Sequence, residues 1–147
     1  THIPSYGPES RGGTSYADVR VAADSVVAPS APSPDILVAF NAPSLAKFGP
    51  TVVPGGLVVY DSSVAHELPE LAPGTRAVGV PFTEVATGLG KTMIKNVVAL
   101  GAMQAASGLF PEETYLTAIR EALARKKDLI PLNERAFRQG AIAAAAT

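Results

Sequence analysis

Two short apolar runs, each stopped by a polar side chain, limit this chain more than any other feature. Ile36-Leu-Val-Ala-Phe40 follows Asp35 and ends at Asn41. Leu57-Val-Val-Tyr60 follows a Pro-Gly-Gly turn and ends at Asp61-Ser-Ser63. Continuous runs of this length, rich in β-branched residues, fit parallel strands covered on both faces. The first reads as a central strand. Between the two runs, Pro43 opens a helix over Ser44 to Phe48, with Asn41 or Ala42 near its cap, and Gly49-Pro50 stops it. A third strand, Arg76 to Val80, closes at Pro81. In open α/β sheets ligands gather outside the carboxyl ends of strands. Asn41 is therefore a candidate site residue, while Asp61 and Ser62 are better read as caps of the turn that follows them.

The second half of the chain is helical. Phe82 to Ala86 starts a helical turn, with Thr83 and Glu84 near its N-terminus. A long, mostly apolar helix is expected from Thr92 to Ser107. Ile94, Val97, Val98, Gly101, Ala102 and Ala105 fall at helical spacing, Asn96 stands near the start, and Gly108 suits the C-terminal cap. Small residues at 101, 102 and 105 would let this helix approach a sheet or another helix closely. A further helix runs from Pro111 to about Ala124. Glu112 and Glu113 lie in its first turn, where the helix dipole favours them, and Arg125-Lys-Lys127 lie near its end. Pro131 to Gly140 begins the last helix, with Leu132, Ala136 and Phe137 facing the core and Glu134 solvated. Residues 141–147 give no signal. Near the N-terminus, Ser15 to Ala22 alternates like a strand, and the proline-rich tract Ala28 to Pro34 reads as a surface connection. This order predicts an α/β fold: a single domain over 1–147, a three-layer sandwich with a largely parallel, Rossmann-like sheet flanked by helices.

Composition removes several classes of function. Twelve basic against thirteen acidic residues give a net charge of −1. That leaves no electrostatic case for nucleic acid or an anionic membrane. There is no cysteine, so no thiolate of this chain can ligate zinc or an iron–sulfur cluster, or act as a nucleophile. Absence of disulfides is compatible with a cytoplasmic setting. No apolar run approaches the roughly 18–20 residues that span a bilayer. Gly90-Lys91-Thr92 suggests a phosphate loop, but the Walker pattern needs glycine at position 85, where the chain has Val85.

The remaining feature is the stretch Ile3-Pro-Ser-Tyr-Gly-Pro-Glu-Ser-Arg-Gly-Gly13. Two prolines and three glycines exclude a helix or a regular strand. Tyr6, Glu9 and Arg11 supply polar handles on a stiff loop, a common place for binding. A solvated turn explains the same residues about equally well from spacing alone.

The run from Pro4 to Thr14, followed by a strand at Ala17 to Val21, resembles the signature of the gamma subunit or gamma domain of the 2-oxoacid:ferredoxin (acceptor) oxidoreductases. The likeness extends along the chain through Asp35–Asn41, Pro54–Ser62, Pro81-Phe-Thr-Glu84, Lys95-Asn-Val-Val-Ala-Leu-Gly101 and Leu132 to Gly140. Such family members carry a strand and a Gly-x-Gly-Gly-Gln-Gly turn before this point, and none precedes Ile3 here. The expectation is a chain lacking that first βα unit, with an exposed sheet edge or groove.

The resemblance implies a subunit of an oxidoreductase that decarboxylates a 2-oxoacid, of the pyruvate, 2-oxoglutarate or ketoisovalerate type, to acyl-CoA and passes electrons to ferredoxin. It implies thiamine diphosphate, Mg²⁺ and [4Fe–4S] clusters on alpha and beta partner subunits, with delta as a further partner. This chain would bind none of these cofactors alone. Coenzyme A would be the co-substrate, and the chain would help enclose its side of the active site. No catalytic residue is expected here. The contact loop would be Tyr6, Gly7, Pro8, Glu9, Arg11, Gly12 and Gly13, with Asn41 and Asn96 as a further site. The other reading is a purely structural assembly module of that complex that touches no ligand.

Overall fold

A computed structural model of the chain describes residues 2–4, 17–19 and 33–147. Its strands are β1 (His2–Pro4), β2 (Ala17–Val19), β3 (Ile36–Ala39), β4 (Leu57–Asp61) and β5 (Arg76–Val80). Its α-helices are α1 (Ala42–Phe48), α2 (Phe82–Gly88), α3 (Lys95–Ser107), α4 (Glu112–Ala122) and α5 (Ile130–Ala145). Strands β1 and β2 pair antiparallel, with Ile3 opposite Asp18. The other three form a parallel sheet in the order β3-β4-β5, with Val38 opposite Val59 and Val59 opposite Val78.

The sheet is covered on both faces, which gives the three-layer α/β/α sandwich. On one face Leu57, Val59, Val78 and Val80 pack with Phe82 of α2, Val98 and Ala102 of α3, and Ala136 of α5. On the other, Ala39 and Val58 pack with Leu45 of α1 and with Val52. The pleat explains the split, because alternate residues of β4 point to opposite faces. A satellite cluster of Leu116, Ile119 and Phe137 holds α4 against α5. No helix among the described residues is long and apolar enough to cross a membrane.

Several expectations need correction. Ile36–Ala39 is an edge strand of the described sheet, not its centre. Its Ile36, Leu37 and Val38 are only half-buried, whereas Val58 and Val59 of β4 are fully buried. An apolar run records what a strand would bury, not which neighbours it finds. The helix expected from Thr92 begins as a 3₁₀ turn over Thr92–Ile94 and becomes α-helical at Lys95. Ala105 is exposed. Of the three small residues expected to allow close packing, Gly101 makes the close helix contact. A Cβ there would lie 1.9 Å from the carbonyl oxygen of Phe137 in α5, and a Cβ at Gly140 would lie 1.9 Å from that of Val98. The two helices therefore touch backbone to backbone. The last helix, begun at Ile130, runs on through the uninformative 141–145 stretch to Ala145, as its alanine-rich sequence favours, and Ala144 is buried. Glu134 is not simply solvated. It takes two bonds from the Arg120 guanidinium, at 2.6 and 3.1 Å, and Arg120 also holds Glu113 at 2.8 Å.

Candidate functional site

The carboxyl end of the parallel sheet is built around Asp61. This last residue of β4 is fully buried, and donors from two segments fill its carboxylate. Oδ1 accepts the Ser63 N–H at 3.0 Å and the Thr83 N–H at 3.4 Å, and Oδ2 accepts the Thr83 hydroxyl at 2.6 Å. Ser63 Oγ in turn accepts the Glu84 N–H at 3.2 Å. The need for this arrangement begins in the sequence. Helix α2 has Pro81 at its cap position, and proline offers no side-chain acceptor for the free N–H groups of the first turn. Asp61 supplies the missing acceptor from a neighbouring strand. A carboxylate at a helix N-terminus is also favoured by the helix dipole.

Asp61 as a turn cap agrees with its sequence reading. Its second role, capping α2 across twenty-two residues, was not read there. The signal that could have found it is Pro81-Phe-Thr-Glu84, a helix start whose cap position is proline.

Asn41 caps its own helix. It sits in extended backbone, with φ −153°, and its Oδ1 accepts the Ser44 N–H at 2.8 Å. Asn96 lies in the first turn of α3 and is exposed, with its Oδ1 accepting the Val97 N–H at 2.9 Å. The far end of α3 lies beside the start of β5, where the Arg76 guanidinium donates to the Ala106 carbonyl at 3.2 Å. No hydrogen bond joins the two asparagines. Tyr6, Gly7, Pro8, Glu9, Arg11, Gly12 and Gly13 lie outside the described residues; in the sequence they fall between β1 and β2.

The chemistry available at this end of the sheet is positional. Every carboxylate contact of Asp61 is with a donor, and the group has no solvent access, so it is not placed to take a substrate proton. Among the described residues no group of three or more His, Cys, Asp and Glu could hold a metal ion. The absence of cysteine means that this chain offers no thiolate for an iron–sulfur cluster. Gly88 to Thr92 joins one helix to the next rather than a strand to a helix, which removes the phosphate-loop geometry as well as its spacing. Among the described residues the shifted titrating groups lie on α4. Burial pushes the Tyr115 phenol up, and bonding to Glu134 and then Glu113 raises the Arg120 guanidinium.

Comparison with known proteins decides the family. The pyruvate ferredoxin/flavodoxin oxidoreductase family matches residues 1–143. The chain belongs to that family. Within it, the correspondence is with the gamma subunit. The chain is 41% identical over 140 residues to ketoisovalerate oxidoreductase subunit VorA of Methanothermobacter thermautotrophicus, covering 94% of this chain and 28% of that one. It is 34% identical over 137 residues to 2-oxoglutarate synthase subunit KorC of Archaeoglobus fulgidus, covering 92% of this chain and 67% of that one. Among solved structures it is similar to the gamma subunit of the keto/oxoacid ferredoxin oxidoreductase of Geobacter sulfurreducens. There the TM-score is 0.75 at 27% identity, over all of this chain and 80% of the other. The chain thus spans less than a third of the VorA relative.

Proposed function

We propose that this chain is the gamma module of a thiamine diphosphate-dependent complex that oxidatively decarboxylates a 2-oxoacid to acyl-CoA and passes the electrons to ferredoxin. The observation that carries the reading is the 41% identity to VorA over nearly the whole chain. Partner alpha and beta subunits, with delta where present, would hold thiamine diphosphate, Mg²⁺ and the [4Fe–4S] clusters. The cysteine-free composition fits that division, since every cluster thiolate must come from outside these 147 residues. Balanced charge fits a protein partner rather than nucleic acid or membrane. A cytoplasmic location belongs to the same reading.

This chain would pack on the catalytic core and help enclose coenzyme A. The contact loop is Tyr6, Gly7, Pro8, Glu9, Arg11, Gly12 and Gly13. Arg11 would pair bidentately with a carboxylate or phosphate. Gly12 and Gly13 would present backbone N–H groups to an anion, and Glu9 would orient Arg11. Arg11→Ala in the assembled enzyme tests the loop. A raised KM for coenzyme A is expected. Unchanged coenzyme A-dependent turnover together with unchanged assembly would remove both roles.

A second reading is a structural module without ligand contact. One observation favours it: Asp61 and Asn41, the polar groups at the sheet's carboxyl end, are spent on the fold itself. Titrating coenzyme A into the complex separates the readings, because binding that Arg11→Ala weakens belongs to the first.

A further inference from the structure

Helix α4 stands outside the core that the rest of the fold shares. Among the described residues, the two clusters that cover the faces of the sheet contain none from α4. Of the eleven residues of α4, Leu116 and Ile119 are buried. Both cluster with Phe137 of α5, and Val97 and Leu100 of α3 lie half-buried beside them. The Tyr115 ring leans on Phe137, with centroids 5.5 Å apart. Ion pairs tie α4 to α5 at both ends. In the first turn Glu112 meets Arg138 at 3.6 Å. In the last turn Arg120 gives Nε and Nη2 to Oε1 of Glu134, at 3.1 and 2.6 Å, and Nη1 to Glu113 at 2.8 Å. The Glu134 side chain is 16% exposed against 69% for Glu113, so solvent and salt screen the Glu134 pair less. An arginine that serves two carboxylates in one network is the kind of surface pairing that contributes measurably. The flanking segments supply hinges. Gly108 has φ 69°, and Phe110 has φ 63°, which a bulky residue rarely adopts. Beyond α4 the chain enters the 3₁₀ turn Lys127–Leu129.

We infer that α4 is a hinged strap, latched by Arg120, that opens as a unit while the sheet, α2, α3 and α5 stay folded. The division of the core is the reason. Swinging α4 away parts Leu116 and Ile119 from Phe137 but takes no member from the two sheet-covering clusters. Helices α3 and α5 keep their backbone contact at Gly101 and Gly140, which involves no atom of α4. Proteins open locally in contiguous units, and those with few buried apolar contacts open at the lowest cost. The positive φ of Phe110 is a strain of the closed position that opening releases. The ion pairs oppose it. Salt weakens the exposed pairs, so ionic strength sets how often the strap is open, and Arg120 is where it acts. This inference stands apart from the proposed function and concerns the chain by itself.

Amide hydrogen exchange, read segment by segment, tests the strap in the native chain, Val59→Ala and Arg120→Gln. Val59 of β4 is fully buried in the main core. Its truncation should speed exchange in β4 about 10-fold. Helix α4 should exchange faster than β4 in the native chain and keep its native rate in Val59→Ala, because strap opening leaves the main core formed. Arg120→Gln should speed exchange in α4 about 5-fold. Sodium chloride at about 1 M should speed α4 in the native chain and act less on that variant. Urea supplies a second measure that needs no variant. Exchange in α4 should rise less steeply with urea than exchange in β4, since strap opening exposes less surface than global unfolding. If Val59→Ala speeds α4 as much as β4, or the two urea slopes coincide, α4 comes free only with the whole fold and the strap is refuted. If α4 opens separately but at the same rate in Arg120→Gln, the latch is overturned.

Discussion

Gly101→Ala adds a single methyl group at the point where α3 and α5 touch. The added Cβ would lie 1.9 Å from the Phe137 carbonyl oxygen and 2.8 Å from its carbon, where no real Cβ comes closer than 3.0 Å. Both obstructing atoms are backbone, so no side chain can swing aside, and the helices must part by about 1 Å or more. That movement opens the contacts of Val98 and Ala102, which are fully buried in the main core. Overpacking of this kind costs about 3 kcal/mol at the upper end of its usual range. Alanine regains about 1 kcal/mol of helix propensity over glycine. The net loss is about 2 kcal/mol, which for a domain of this size lowers the melting temperature by about 4–8 °C. Thermal and urea unfolding of the native chain, Gly101→Ala and Gly140→Ala would measure it. The double variant should lose less than the sum, because one separation accommodates both methyl groups. Gly88→Ala is the control: a Cβ there meets nothing within 4 Å, so it should be neutral or slightly stabilising. A Gly101→Ala chain that melts at or above the native temperature would refute the backbone contact.

Three further outcomes follow from the same geometry. Asp61→Ala strands the Thr83 and Ser63 donors and uncaps α2, and should cost about 3 kcal/mol in urea unfolding; Asp61→Asn, which keeps one acceptor, should cost less. Asn41→Ala removes the α1 cap and should lower stability by about 1 kcal/mol. Burial raises the Tyr115 phenol above its ordinary value of 10.0. The folded chain therefore holds that proton more tightly than the unfolded chain, and the associated stability, intact below pH 10, is lost as pH rises above it. Tyr115→Phe should flatten that alkaline decline.

Strands and helices were legible wherever the determinant was local. Asn41 before Pro43 marked a helix start, Gly108 marked a helix end, and the apolar stripe of α4 was visible at Leu116 and Ile119. What was not legible depends on partners distant in sequence. Asp61 caps a helix that begins twenty-one residues later, and nothing near Asp61 announces it. Gly101 was recognisable as a small residue, but that its neighbour is the backbone at Phe137 becomes visible only in three dimensions. Ala141 to Ala145 carried no pattern because alanine suits a helix without choosing a face. Of the site residues, Asn41 and Asn96 are accounted for by local hydrogen bonds. The proposed contact loop rests on the resemblance of the sequence around Arg11 to the family signature.

The proposed function makes this chain one part of a larger 2-oxoacid oxidoreductase. The direct measurement is coenzyme A-dependent reduction of ferredoxin by a 2-oxoacid, using the remaining subunits with and without this chain. The account predicts no turnover by the chain alone, low turnover without it, and restoration when it is added at equal concentration. Full turnover by the remaining subunits without this chain would contradict it.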